Sequence, residues 1–68
     1  MRLLNHDKII ELGFEQYSAL RYTKGKVTIE VIEDDDRRDR FKVYADNKEI
    51  GYVHYTQTLI NILSKFES

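Results

Sequence analysis

The sequence contains no cysteine, no proline and no tryptophan, and its three glycines stand apart from one another. Without cysteine the chain cannot form disulfide bonds, thiolate zinc sites or a thiol nucleophile. Because Gly13, Gly25 and Gly51 are isolated, there is no glycine-rich loop that could hold a phosphate. These absences exclude several common kinds of metal and nucleotide site.

The sequence also lacks a long hydrophobic run and an excess of charge of either sign. The 11 basic and 12 acidic residues leave a net charge of -1, which argues against bulk electrostatic binding of nucleic acid. No stretch approaches the ~18 apolar residues of a membrane span or the ~7 of a secretory signal. We therefore expect a cytoplasmic protein that does not act at a membrane.

The remaining composition is typical of one small globular domain that covers residues 1–68. The chain is 41% hydrophobic and 34% charged, a mixture that is too apolar for a disordered tail. A domain of this size buries only about 60% of the surface that its unfolded chain exposes. Self-association, through a sheet face or from edge to edge, would bury more area, so a homodimer is left open.

A short helix is predicted over residues 6–12. Asn5 is a good N-cap, and the apolar residues that follow it have helical spacing. Gly13 fits the left-handed position that ends many helices, and Phe14 would then contact Ile9, as in a Schellman motif.

Two β-hairpins are predicted after this helix, and the first lies around Lys24-Gly25. Leu20 and Tyr22 alternate with polar residues before the turn, and Val27 and Ile29 do so after it. A turn centred on Lys24-Gly25 pairs Tyr22 with Val27 and Leu20 with Ile29, which places all four side chains on one face of a sheet.

The second hairpin has the same alternation around Asp46-Asn47, two residue types that tolerate a positive φ. Regular pairing around this turn sets Val43 opposite Ile50 and Phe41 opposite Tyr52. The segment 33–40 between the hairpins has no apolar residue, so we expect a solvated loop there.

A second helix is predicted over residues 57–66, with Thr56 as its cap. Together the elements predict an α+β domain of order αββββα, a two-layer sandwich in which both helices cover one face of a four-stranded antiparallel sheet. The predicted core is Ile9, Leu12, Phe14, Leu20, Tyr22, Val27, Ile29, Val31, Phe41, Val43, Ile50, Tyr52, Leu59, Ile62, Leu63 and Phe66. The predicted open face is Arg21, Thr28, Glu30, Ile32, Lys42, Tyr44, Gly51 and Val53.

No pattern in the sequence points to catalysis, a metal ion or a cofactor. The spacing of His6 and His54 does not bring them together as metal ligands. The run Asp34-Asp35-Asp36 lacks the alternate ligand spacing and the glycine of a calcium loop. No serine or threonine is paired with a base, and so short a chain can hardly surround a substrate. We expect a non-enzymatic protein without catalytic, metal or cofactor-binding residues.

Binding of another macromolecule, most readily a protein, fits more of the sequence. Tyrosine is enriched at interfaces, and Tyr17 and Tyr55 are expected near the margins of the open face. The alternative is a nucleic-acid-binding protein that uses Arg21, Lys42 and Tyr44 together with the loop 34–40. The predicted partner-binding residues are Ile32, Lys42, Tyr44, Val53, Tyr55, Arg37 and Arg38.

Four short motifs cover much of the chain: Leu12-Gly13-Phe14, Phe41–Tyr44, Ile50–Val53 and the leucine-rich segment Leu59–Leu63. In these motifs the sequence resembles small proteins of unassigned activity that phages and prophages of Gram-positive bacteria encode. The resemblance implies a phage gene product that binds a host or phage protein in the bacterial cytoplasm. It implies no site residues.

Overall fold

Two helices and five strands make up residues 3–33 and 40–66, the part of the chain that the computed structural model describes. The strands form one antiparallel sheet in the order β1-β2-β3-β4-β5, so each strand pairs with the next one along the chain. The α+β class, the antiparallel sheet and the two helices are confirmed, but the sheet has a fifth strand. The elements are α1 (His6–Glu11), β1 (Glu15–Ser18), β2 (Arg21–Lys24), β3 (Val27–Ile32), β4 (Arg40–Ala45), β5 (Lys48–Val53) and α2 (Thr56–Phe66).

One hydrophobic cluster joins both helices to one face of the sheet. Ile9 of α1 and Leu59 of α2 are fully buried in it, beside Ile29 and Val43 of the central strands. Because both helices pack on this side, neither covers the opposite face. The buried residues are Leu4, Ile9, Phe14, Tyr22, Val27, Ile29, Val31, Phe41, Val43, Ala45, Val53, Leu59 and Leu63, and Leu12, Ile62 and Phe66 are partly buried against them.

The first helix begins and ends as its sequence predicts. The Asn5 side chain accepts a hydrogen bond of 2.9 Å from the backbone N–H of Lys8. Gly13 has a φ of +100°, and the N–H of Phe14 donates to the carbonyl of Ile9 at 3.3 Å. This is the Schellman arrangement, and it carries the chain from α1 into β1 with Ile9 and Phe14 both in the core.

The strand that the sequence does not reveal is β1. All four of its residues are exposed, so there is no alternation of buried and exposed positions to detect. Its pairing with β2 is irregular between Gln16 and Ser18. Leu20 lies in the connection to β2 and is exposed, so its predicted place in the core is wrong.

The first predicted hairpin forms from β2 and β3 with a shifted register. Tyr22 pairs with Ile29 and Lys24 with Val27, so the turn is Gly25-Lys26 and not Lys24-Gly25. The shift is two residues long, and side chains alternate with a period of two. The same side chains of β2 and β3 therefore face the core as predicted, although each residue has a different cross-strand partner from the one predicted.

The second predicted hairpin has the expected turn but not the expected register. Asp46 and Asn47 have positive φ values of 53° and 66° and connect β4 to β5. Beyond the turn a β-bulge shifts the pairing, because Tyr44 pairs with Glu49 whereas Val43 pairs with Gly51. The extra residue on β5 is Ile50.

This bulge reverses the faces predicted for the rest of β5. Val53 pairs with Phe41 and is buried, whereas Tyr52 pairs with Lys42 and is exposed. The predicted core positions of Ile50 and Tyr52 and the predicted open-face positions of Gly51 and Val53 are therefore wrong. A one-residue change of register moves every later side chain to the other face.

The second helix is tied to the N-terminal segment. It starts at Thr56, which is the first residue of the helix and not the predicted cap, and the Thr56 hydroxyl donates to the carbonyl of Leu3 at 3.5 Å. The N–H of Leu4 donates to the carbonyl of His54 at 2.9 Å, and Leu3 forms a bridge with Tyr55. Residues 3–4 thus run beside the chain just after β5, which explains why Leu4 joins the core.

Candidate functional site

The candidate site is the face of the sheet opposite the hydrophobic cluster, named the open face. Along β3 and β4 buried residues alternate with half-buried ones, so the half-buried set points away from the helices. The cross-strand partners of this set extend the face onto β2 and β5. The open face includes Tyr17, Arg21, Thr23, Thr28, Glu30, Ile32, Arg40, Lys42, Tyr44, Glu49 and Tyr52.

Lys42 lies at the centre of an aromatic and charged cluster on this face. Its ammonium nitrogen lies 5.7 Å from the ring centroid of Tyr44 and 5.9 Å from that of Tyr52, within the range of a cation–π contact. The same nitrogen forms an ion pair with Glu49. The hydrogen bond to the Glu49 carboxylate raises the pKa of Lys42 above its ordinary value. The Arg40 guanidinium also lies 5.9 Å from the ring centroid of Tyr52.

A groove of about 380 Å³ runs across the other half of the open face. Tyr17 and Tyr44 line it from β1 and β4, and Thr28 lies on β3 between them. Arg21 and Glu30 form an ion pair in it, with 3.4 Å between the guanidinium nitrogen and the carboxylate oxygen. Asn47 of the β4–β5 turn also lines the groove. The groove therefore offers two aromatic rings and a set of polar groups to a ligand from solvent.

The structure brings part of the predicted binding set together. Ile32, Lys42 and Tyr44 lie on the open face. Val53 does not, since the bulge turns it into the core. Tyr55 follows β5 and pairs with Leu3, beyond the end of the sheet face. Arg37 and Arg38 fall in the segment 34–39, outside the described residues.

The sequence pattern does not predict Tyr52 on the open face, and it does not predict that Tyr17 lines a groove there. Tyr52 sits on the open face only because of the bulge, which plain alternation cannot show. The sequence predicts Tyr17 near the margin of the open face, and it lies on the edge strand β1, where it lines the groove.

Groups that could hold a metal ion do not come together in the described ranges 3–33 and 40–66. No cluster of three or more His, Cys, Asp or Glu side chains that could hold a metal ion occurs among these residues. His6 lies on the helix side of the sheet, where its Nδ1 is 2.6 Å from the Tyr22 hydroxyl and its ring packs edge-on against Phe41. Its contacts are therefore those of a residue packed against the core.

Comparison with models of known protein families, with curated proteins and with solved structures gave no match. The resemblance to phage proteins therefore stays a prediction. Neither of the two described helices has the length and apolar character needed to cross a membrane.

Proposed function

We propose that this protein is a small non-enzymatic binding module that contacts a protein partner through the open face. The observation that carries the proposal is the presence of three tyrosine rings, Tyr17, Tyr44 and Tyr52, on a sheet face that neither helix covers. Tyrosine has a large rigid ring and a polar hydroxyl, so it can contact both the apolar and the hydrated parts of a protein interface.

The charges of the open face favour a protein over a nucleic acid. Arg21 is paired with Glu30 and Lys42 with Glu49, so these two cations are already neutralised by acidic neighbours. Binding of a polyanion depends on cations that can replace its counterions. A face of mixed charge with exposed aromatic rings is instead typical of a protein interface, which contains polar groups of both signs around aromatic side chains.

We place the centre of the proposed interface at the groove. It lies between Tyr17 and Tyr44, and a partner side chain that entered it would meet both rings and the polar groups of Thr28 and Asn47. Residues that fill central pockets contribute most of the affinity in many interfaces. The expectation that the partner is a host or phage protein comes from the sequence resemblance alone.

The test compares three tagged proteins expressed in the same bacterial host. They are the natural chain, the open-face variant Tyr17→Ser/Tyr44→Ser, and the control Ile10→Ser, which changes an exposed residue of α1. Circular dichroism establishes that all three fold. We expect a host protein to copurify with the natural chain and with the control but not with the open-face variant. After purification, that host protein is expected to bind the purified natural chain.

Equal capture by all three proteins would show that the open face is not the contact surface. A parallel titration with labelled single-stranded DNA and RNA tests the nucleic-acid alternative. Binding that is lost in the open-face variant and that weakens steeply with salt would replace the protein partner with a nucleic acid.

A further inference from the structure

The groove on the open face has a small residue between two large ones. Thr28 lies on β3 and pairs directly with Tyr44 of β4, and Tyr17 lines the groove from β1. The volume of about 380 Å³ is near the lower end of the range of ligand sites, roughly 300–1,000 Å³. The groove therefore suits a short piece of a partner chain.

The lining of the groove favours an occupant without charge. Arg21 and Glu30 are the only charged residues among the described ones that line it, and they form an ion pair with each other. An anionic ligand would be repelled by the Glu30 carboxylate, and a cationic ligand would be repelled by the Arg21 guanidinium. Each charged class of ligand is thus opposed by one member of the pair.

The hydrogen-bonding groups of the groove favour an occupant that brings acceptors. The Arg21 guanidinium has several N–H donors, and it donates to Glu30 through one nitrogen. The Asn47 side-chain amide adds further donors and makes no hydrogen bond to another described residue. The Glu30 carboxylate, the strongest acceptor in the groove, already accepts from Arg21. Carbonyl groups of a ligand therefore find donors here more readily than its N–H groups find acceptors.

A proline-rich segment combines these properties in one stretch of protein chain. Proline has a backbone carbonyl but no N–H, and its ring is uncharged and apolar. Such segments adopt the extended polyproline conformation before they bind, so binding orders them at a smaller cost in entropy. Grooves lined by aromatic side chains are a recurring way in which proteins recognise them. An extended segment of other residues would instead bring N–H groups that need acceptors.

We propose that the groove binds a proline-rich segment of the protein partner. A proline ring packs between the Tyr17 and Tyr44 side chains. The flanking backbone carbonyls accept hydrogen bonds from the Arg21 guanidinium and the Asn47 amide. This inference rests on the proposed function, because it names the chemistry of the segment that the open face binds. The segment is not one of this sequence, which contains no proline.

The test is an NMR titration of the ¹⁵N-labelled natural chain with acetyl-hexaproline amide. We expect the largest amide shifts at Tyr17, Thr28, Tyr44 and Asn47, with a Kd of about 1 mM or below. An acetylated Gly-Ser repeat of the same length has the same carbonyls but also N–H groups and no rings. It is expected to bind at least about tenfold more weakly. Hexaglutamate and hexalysine, titrated in the same way, test the two charged classes of ligand.

Two variants test the two parts of the proposed contact. Tyr17 is 55% exposed, so Tyr17→Ser removes one wall of the groove without disturbing the core, and we expect hexaproline to bind it at least about tenfold more weakly. Asn47→Gly removes the amide at a position with a φ of +66°, which glycine adopts readily. Loss of its hydrogen bond is expected to weaken binding by about threefold to tenfold. The control Ile10→Ser is expected to bind like the natural chain, and the spectrum of each variant shows whether it is folded.

The proposal is overturned if hexaproline causes no shifts up to about 5 mM, or causes them outside the groove. Equal or tighter binding of the Gly-Ser, glutamate or lysine peptide also overturns it, as does hexaproline binding that Tyr17→Ser leaves unchanged. Failure of the copurification test would remove the protein partner itself. Failure of the titration alone would leave the open face as the contact surface for a segment of different chemistry, so the two failures are distinguishable.

Discussion

Val53 lies opposite Phe41 in the pairing of β4 with β5, and both side chains are buried in the core. Regular alternation from the Asp46-Asn47 turn would place Tyr52 opposite Phe41 instead. The register differs because Ile50 is an extra residue in β5. The bulge that accommodates it moves the side chains of the following β5 residues to the opposite face of the sheet. Both the core and the candidate binding face depend on this bulge.

Substitution of Val53 by aspartate is expected to unfold the protein, and the same change at Tyr52 is not. Val53 is 3% exposed and Tyr52 is 47% exposed. A buried, unpaired carboxylate costs several kcal/mol, comparable with the ~3–10 kcal/mol expected for the whole domain. Urea unfolding followed by circular dichroism measures both variants. A stable Val53→Asp and an unfolded Tyr52→Asp would instead support the regular register.

Gly51 is expected to be required for the bulge. Its φ of +128° is a conformation that side chains of L residues rarely adopt, although the space around it is open. We therefore expect Gly51→Ala to destabilise the fold by roughly 1–3 kcal/mol through backbone strain alone.

The matched control for this change is Gly25→Asn. Gly25 also has open space around it, but its φ of +59° lies in the left-handed region that asparagine tolerates. Urea unfolding is expected to give nearly unchanged stability for Gly25→Asn. Equal losses at the two glycines would show that the backbone at Gly51 is not specially constrained.

Local patterns were sufficient to predict much of the fold. Asn5 and Gly13 bound the first helix because capping depends on residues a few positions apart. The alternation in β3 and β4 identified the buried faces of the two central strands, since a period of two is visible without knowledge of the partner. The open-face positions of Lys42 and Tyr44 follow from the same alternation.

The features that were missed depend on contacts or backbone geometry that alternation does not encode. The bulge at Ile50 breaks the period within one strand, and an isolated Gly51 is only weak evidence for it. All four residues of Glu15–Ser18 are exposed, so that strand has no buried face to detect. Leu4 is buried through a contact with residues about fifty positions away, as its hydrogen bond to His54 shows.

Removal of the Tyr22 hydroxyl is expected to lower the free energy of unfolding by about 1 kcal/mol. The ring of Tyr22 is 2% exposed, and its hydroxyl lies 2.6 Å from Nδ1 of His6. Tyr22→Phe keeps the packing of the ring against the core and removes only the hydroxyl.

A double-mutant cycle with His6→Ala tests whether this contact is the cause. The two changes are expected to be non-additive by several tenths of a kcal/mol or more when urea unfolding is measured. Strict additivity would show that the hydrogen bond does not contribute to the stability of the fold.

The ion pair between Lys42 and Glu49 is expected to shift the titration of Lys42 in the folded protein to higher pH than in the variant Glu49→Gln. The hydrogen bond to Glu49 raises the pKa of Lys42 above its ordinary value of 10.5. Because the folded-state pKa is the higher one, the pair stabilises the fold below pH 10.5, and this contribution is lost as the pH rises through the folded-state pKa. NMR titration of the Lys42 ε-methylene group measures the pKa directly, and in Glu49→Gln it is expected to move down towards the ordinary value. An unchanged Lys42 titration in that variant would mean that Glu49 does not hold the ammonium group between Tyr44 and Tyr52.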